Sequence, residues 1–160
     1  MILIGIGGNL SSRFGPPRQG LAYALEVLCA QAGPLSACSP WYGARAVPVS
    51  DQPDFVNAVA SIETDLPPSG LLELMHQVER QFGRVRGAVN AARTLDLDLL
   101  SYDHICQESG PELPHPRMHQ RAFVLSPLCD IAPDWRHPAL KRTARELLLA
   151  LPTPHGVWRL

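Results

Sequence analysis

An α+β sandwich is the fold class this sequence predicts, on three grounds: the order of its elements, the spacing of its apolar residues and its length. Four strand-like stretches and two helix-like ones follow one another as β-α-β-β-α-β, the ferredoxin-like split βαβ arrangement, with extra C-terminal elements. With 160 residues, 46% of them hydrophobic, the chain can bury one substantial core, so residues 1–160 are expected to form one domain. There is no repeat, low-complexity segment or interdomain linker.

The elements come in order. Met1-Ile2-Leu3-Ile4-Gly5-Ile6 is a buried first strand. It is too short for a signal-peptide core and has no basic leader, and it runs into an expected turn at Gly7-Gly8-Asn9. A helix begins near Pro16-Pro17, carries Leu21, Ala24, Leu25 and Leu28 at helical spacing, and stops at Gly33-Pro34. Residues 35–42 form the second strand, and residues 47–53 a proline-containing loop that is long for a mere connection. Residues 55–64 alternate as the third strand. Pro67-Pro68-Ser69 opens a helix with Leu71, Leu72, Leu74, Met75 and Val78 on its apolar side, ending by Gly83. A polar stretch, 84–93, leads into the fourth strand at 94–102, then a proline-rich segment and a last helix at 143–151. Two helices are expected to cover one face of the sheet.

The net charge of −1 exerts no general attraction on nucleic acid or an anionic membrane, so neither is an expected partner and any phosphate binding must come from local arginine clusters. No apolar run approaches the roughly 20 residues that span a bilayer. A soluble, cytoplasmic monomer is the expectation. Cys29, Cys38, Cys106 and Cys129 are widely spaced, with no Cys-x-x-Cys pair, and read as free buried thiols.

The chemistry concentrates in Leu95-Asp96-Leu97-Asp98-Leu99-Leu100. On a strand, residues two apart share a face at about 6.5–7 Å, so Asp96 and Asp98 point together while Leu95, Leu97 and Leu99 face the core. Like charges at that separation repel by roughly 0.6 kcal/mol in water and about 2.5 kcal/mol at an effective dielectric of 20. A divalent cation with oxygen ligands would compensate them, and Mg²⁺ characteristically takes one or two carboxylates plus substrate phosphates. A lone Asp-x-Asp is more often a solvated edge. Here Arg84, Arg86 and Arg93 precede it in one segment, and guanidinium groups grip phosphate oxygens bidentately. Glu79, one helical turn before Gly83, either points to the same place or pairs with a neighbouring arginine. Gly5-Ile6-Gly7-Gly8 belongs to neither a Walker loop nor a Rossmann fingerprint. His115 and His119 are one helical turn apart, but Pro116 and the nearby arginines argue against a metal pair, and His119 reads as a surface residue.

In this order the motifs resemble the 6-hydroxymethyl-7,8-dihydropterin pyrophosphokinase family across almost the whole chain. They are Gly7-Gly8-Asn9-Leu10; Asp51-Gln52-Pro53-Asp54-Phe55-Val56-Asn57-Ala58; Glu79 with Gly83-Arg84-Val85-Arg86; Arg93-Thr94-Leu95-Asp96-Leu97-Asp98; and Pro114-His115-Pro116-Arg117-Met118 with Arg121-Ala122-Phe123-Val124-Leu125. The resemblance implies pyrophosphoryl transfer from ATP to the pterin hydroxymethyl group, giving AMP, in folate biosynthesis. It implies that Asp96 and Asp98 hold two Mg²⁺ ions, with Arg84, Arg93, Asp96 and Asp98 catalytic. Arg84, Arg93, His115 and Arg121 would surround the ATP phosphates, with Glu79 near the nucleotide. The pterin would lie between Phe55 and Phe123, its edge on Asn57, with Ala44, Val47 and Asp96 also lining its pocket. Taken alone, the two phenylalanines read as core packing.

The chain departs from the family pattern in places. Val89-Asn90-Ala91-Ala92 stands where Trp-Gly-Pro is usual, in a loop one residue shorter. Gly8 replaces a serine, Ala44 a threonine, Ala46 and Pro48 stand where proline and glycine are expected, and Glu112 adds negative charge beside His115. A divergent relative with altered activity is therefore the main rival reading. An RNA-recognition module shares the topology but lacks its Lys/Arg-Gly-Phe/Tyr-Gly/Ala-Phe strand here.

Overall fold

Strand β1 (Ile2–Gly8) is flanked by β4 (Phe55–Ile62) on one side and β5 (Asp96–Tyr102) on the other, antiparallel to both. The structure, a computed structural model, describes residues 1–46, 50–85, 91–152 and 156–160. The far edge of β4 carries β2 (Leu35–Cys38) and β3 (Tyr42–Ala44), and β6 (Val157–Arg159) adds beyond β3 to give the order β5-β1-β4-β3-β6. Strand alternation then decides which residues go to which layer. Ile2, Ile4 and Ile6 of β1 join Leu95, Leu97 and Leu99 under α1 (Pro17–Ala32) and α2 (Pro68–Gln81), which contribute Leu21, Leu25, Leu28, Leu71, Met75 and Val78. Both helices begin with a proline in the first turn, where its missing N–H costs nothing.

The two expected helices thus cover one face, and the additional C-terminal elements cover the opposite one. Leu3, Val59 and Leu100 lie under α3 (Ala122–Ile131) and α4 (Ala144–Leu149), packed on Val124, Leu125, Leu128 and Leu147. Helix α3 escaped the sequence reading for a physical reason. Ala122-Phe123-Val124-Leu125-Ser126-Pro127-Leu128 is nearly continuously apolar, so it shows no amphipathic stripe, and Pro127 inside it argues against a helix. The last helix matches its expected place. Thr143 caps it through a reciprocal pair, its hydroxyl accepting from the Glu146 amide at 3.1 Å and its amide donating to the Glu146 carboxylate at 2.7 Å.

Two further corrections concern strands. The continuous strand expected over 35–42 is broken at Ser39-Pro40-Trp41. Pro40 has no N–H to pair; the Ser39 amide donates to the Val59 carbonyl at 2.9 Å and the Ser39 hydroxyl accepts from the Val59 amide at 3.1 Å. The turn expected at Gly7-Gly8 is instead the end of β1. The thiols are free, but none is buried: Cys29 and Cys129 are partly covered, Cys38 and Cys106 exposed. Among the described residues, no helix is long and apolar enough to cross a membrane.

Leu100 is fully buried in the second core, whereas Leu149 of α4 is 79% exposed. Leu100→Ala is expected to lower unfolding free energy by about 2–5 kcal/mol, through lost burial plus a residual cavity. Leu149→Ala should stay within about 0.5 kcal/mol. Urea denaturation of the two variants checks both values.

Candidate active site

The face that buries Leu3, Val59 and Leu100 changes character halfway along its strands. Beyond Leu3, β1 offers Gly5 and Gly7; beyond Leu100, β5 offers Asp98 and Asp96; beyond Val59, β4 offers Asn57 and Phe55. The register aligns them in rows. Gly7 pairs with both Asp96 and Asn57, Asn57 pairs with Tyr42, and Tyr42 pairs with Arg159. Asp96 and Asn57 therefore stand two strand spacings apart, about 9.5–10 Å, with a glycine floor between them. That floor has no room for a side chain, since a Cβ on Gly7 would lie 2.6 Å from the Asn57 Oδ1; on the other face of β1, a Cβ on Gly8 would lie 2.7 Å from the Thr94 carbonyl. The second distance accounts for glycine rather than serine at position 8. Asn57 is 7% exposed, and its amide nitrogen is buried with no hydrogen-bond partner among the described residues.

Each carboxylate of the pair has cationic neighbours. Asp96 accepts from Arg84 and, at 2.5 Å, from Arg93; Asp98 accepts from Arg121 at 3.4 Å and lies 4.0 Å from His115 Nε2. Compensation of the like charges, assigned above to a cation, thus comes from arginines in the ligand-free protein. Glu79 is 3% exposed, accepts from Arg84 and takes the Leu97 amide at 2.8 Å. It pairs with an arginine, as one of its two readings held, and thereby ties α2 to β5 and fixes the Arg84 guanidinium over Asp96.

Burial shapes the titration of these groups. It raises the Asp98 carboxyl above the usual range, helped by the charge of Asp96 and opposed by His115 and Arg121. It raises Glu79 likewise, against the Leu97 amide and Arg84. Burial also lowers His115 and Arg121, although Asp98 pulls both upward. It works against charge on Arg84 too, yet Asp96 and Glu79 hold that guanidinium above its ordinary value.

A cleft runs from Asp96 and Asp98 past His115 toward Leu72, Leu99 and Pro111. Glu112 also lines it, so the extra negative charge noted in the sequence does face this cleft. Phe55 opens β4 opposite Ala44, while Phe123 lies in the first turn of α3, half-buried, with the Arg121 guanidinium 5.5 Å from its ring centre. Sheet and helix layer each supply one ring. Val47, Arg86, Val89 and Asn90 lie outside the described residues. His119 is not a surface residue: it is half-buried, edge-on to the buried His137 with ring centres 5.9 Å apart.

One residue was quoted in a motif without a role. Asn9, 2% exposed, donates to Pro53 O at 2.9 Å and to Gln52 Oε1 at 3.3 Å, and accepts the Arg93 amide at 2.9 Å. It joins the loop before β4 to the arginine before β5. The only sequence signal was a polar amide directly after a strand-ending glycine pair.

Among the described residues no cluster of three or more metal-ligating side chains occurs. Two convergent carboxylates are nonetheless the donor set suited to a hard cation that completes its shell with water and phosphate. Paired carboxylates, converging arginines and an unsatisfied amide define a class of site, one suited to group transfer from a polyphosphate to a flat polar acceptor.

Residues 3–133 match the family model described as 7,8-dihydro-6-hydroxymethylpterin-pyrophosphokinase (HPPK), and the chain belongs to that family. It is 39% identical over 163 residues to the 2-amino-4-hydroxy-6-hydroxymethyldihydropteridine pyrophosphokinase of Pseudomonas aeruginosa, covering 99% of this chain and 96% of that protein. It is 38% identical over 148 residues to the protein of the same description from Synechocystis, covering 91% and 73%. The fold is similar to that of wild-type Plasmodium falciparum HPPK-DHPS, with a TM-score of 0.71 at 14% identity over 92% of this chain. This chain spans 42% of that longer one.

Because the folded-state pKa of Asp98 is raised, its neutral form favours folding. That contribution is full below the unfolded value near 3.8 and is lost as pH rises through the folded value. Asp98→Asn should therefore raise the melting temperature of the ligand-free protein at pH 7 and change it little at pH 3. Thermal unfolding at the two pH values checks the sign.

Proposed function

We propose that this protein transfers the pyrophosphoryl group of ATP to the hydroxymethyl oxygen of 6-hydroxymethyl-7,8-dihydropterin, releasing AMP, in folate biosynthesis, with residues 1–160 acting as one domain. The observation that carries the reading is the row from Asp96 to Asn57. A buried amide donor without a partner faces the same layer as a carboxylate pair, at the span of a bicyclic ring bearing a one-carbon arm. Leaving such a donor unpaired costs about 1–3 kcal/mol, which a ring acceptor would recover.

Asn57 would orient the pterin edge while Phe55 and Phe123 cover its two faces, and Ala44 would close its side. Asp96 and Asp98 would hold Mg²⁺, two ions in the family pattern, which would supply positive charge against the negative charge that develops on the transferring phosphates. Arg84, Arg93, Arg121 and His115, which gather around the two carboxylates, would bind the triphosphate oxygens. The pterin hydroxyl oxygen then forms a bond to the β-phosphorus as the bond from that phosphorus to the α,β-bridging oxygen breaks. AMP leaves with the bridging electron pair, and the hydroxyl proton passes to solvent. Positioning and electrostatics dominate such a transfer, so no protein nucleophile is required.

Asp96→Ala and Asp98→Ala are each expected to lower turnover by at least about a hundredfold, as loss of a metal ligand or transition-state charge partner does. The measurement is AMP formed from ATP and the hydroxymethyl dihydropterin with Mg²⁺. AMP formation at the wild-type rate in either variant would refute the carboxylate assignment, and none in the wild-type protein would refute the activity. Asn57→Ala should raise the pterin KM about tenfold or more while leaving the ATP KM nearly unchanged, because only the acceptor loses its directional contact.

A further inference from the structure

The row that contains Asp96 and Asn57 continues to Tyr42, outside the carboxylate and arginine cluster. The Tyr42 hydroxyl donates to the Asp130 carboxylate at 2.6 Å, and Asp130 lies near the C-terminal end of α3. Phe123 lies seven residues earlier on the same helix, two turns away and on the same side, about 10.5 Å along the axis. Tyr42 itself is paired across the ladder with Asn57, and its neighbour on that face, Ala44, with Phe55.

One hydrogen bond therefore closes a frame. It links the two strands that present Asn57 and Phe55 to the helix that presents Phe123. We propose that Tyr42 and Asp130 are positioning residues for the pterin pocket, a strut that sets the separation between the sheet-borne Phe55 and Asn57 and the helix-borne Phe123. The inference rests on the pterin reading of that pocket.

Two further observations agree with it. The Tyr42 hydroxyl is pushed up to about 12 by burial and by its bond to Asp130, with Arg159 acting in the opposite direction, so it remains a donor throughout the physiological range. The strut is also the only side-chain hydrogen bond recorded, among the described residues, between α3 and the sheet strands β3 and β4. Arg121, at the N-terminal end of α3, bonds to Asp98 of β5 at 3.4 Å, so the Tyr42–Asp130 bond supplies the charge-assisted tie at the other end of the helix.

The test compares Tyr42→Phe, Asp130→Ala, Asp130→Asn and the Tyr42→Phe/Asp130→Ala double variant. Binding of 6-hydroxymethylpterin is followed by its fluorescence with a non-hydrolysable ATP analogue present, and binding of the analogue alone is measured separately. A strut predicts that Tyr42→Phe and Asp130→Ala each weaken pterin binding about three- to tenfold, that the double variant weakens it no further, and that analogue binding is unchanged. Asp130→Asn, which keeps an acceptor, should stay within about twofold of wild type. Unchanged pterin affinity in the single variants, or additive losses in the double, would overturn the strut. In the ligand-free protein, the Phe123 ring-proton and Asn57 side-chain amide shifts should also move in Tyr42→Phe. Unmoved shifts overturn the strut whatever the ligand, whereas shifts that move in Tyr42→Phe, together with a wild-type protein that binds no pterin, overturn the pterin reading instead.

Discussion

Strand alternation on three adjacent strands is the constraint from which the site follows. On β1, β4 and β5, Ile2, Ile4, Ile6, Ala60, Ile62, Leu97 and Leu99 enter the core under α1 and α2. Residues of the other parity do so only as far as Leu3, Val59 and Leu100, where α3 and α4 cover them. Past that line the positions hold Gly5, Gly7, Asn57, Asp96 and Asp98 instead. A shift of one residue on β5 would send the carboxylates into the first core and leucines into the cleft. The leucines of β5 thus hold Asp96 and Asp98 in place as much as the arginines do.

Electrostatics then makes the ligand-free site a folded but uneasy arrangement. Asp96 is held by Arg84 and Arg93, Asp98 by Arg121, and Glu79 by Arg84, so each buried or half-buried charge has an opposite neighbour. Asp98 nevertheless titrates above its usual range, because burial and Asp96 outweigh the cations beside it. On the proposed reading, a polyphosphate arriving with a divalent metal would supply positive charge to the carboxylates and acceptors to the guanidiniums at once.

Asn9 and the Tyr42–Asp130 bond show how the periphery is tied to that centre. Asn9 connects the loop carrying Gln52 and Pro53 with the Arg93 backbone, and Glu79 connects α2 with the Leu97 amide. Two buried side chains thus hold the acidic strand, one just before it at Arg93 and one between its two carboxylates at Leu97. Such contacts hold catalytic groups within the small tolerances that group transfer demands.

Much of this was legible in the linear sequence. Period-two alternation made Asp96 and Asp98 neighbours on one face, and helical spacing placed α1 and α2, because both are local rules. The ordered motifs named the family, and the arginines and His115 do gather at the carboxylates. Other features were not legible. Helix α3 has no amphipathic stripe, since one side meets the sheet and the other is partly covered by α4; the break at Ser39-Pro40 is set by pairing with Val59; and Asn9 and His119 found partners 84 and 18 residues away. The sequence by itself determined which residues share a face and which chemistry they carry. Only the tertiary structure decided how far α3 and α4 cover that face, what the arginines hold before a substrate arrives, and that Asn57 keeps an unpaired donor. Those outcomes depend on distances between segments far apart in the chain, and local propensity carries no information about them.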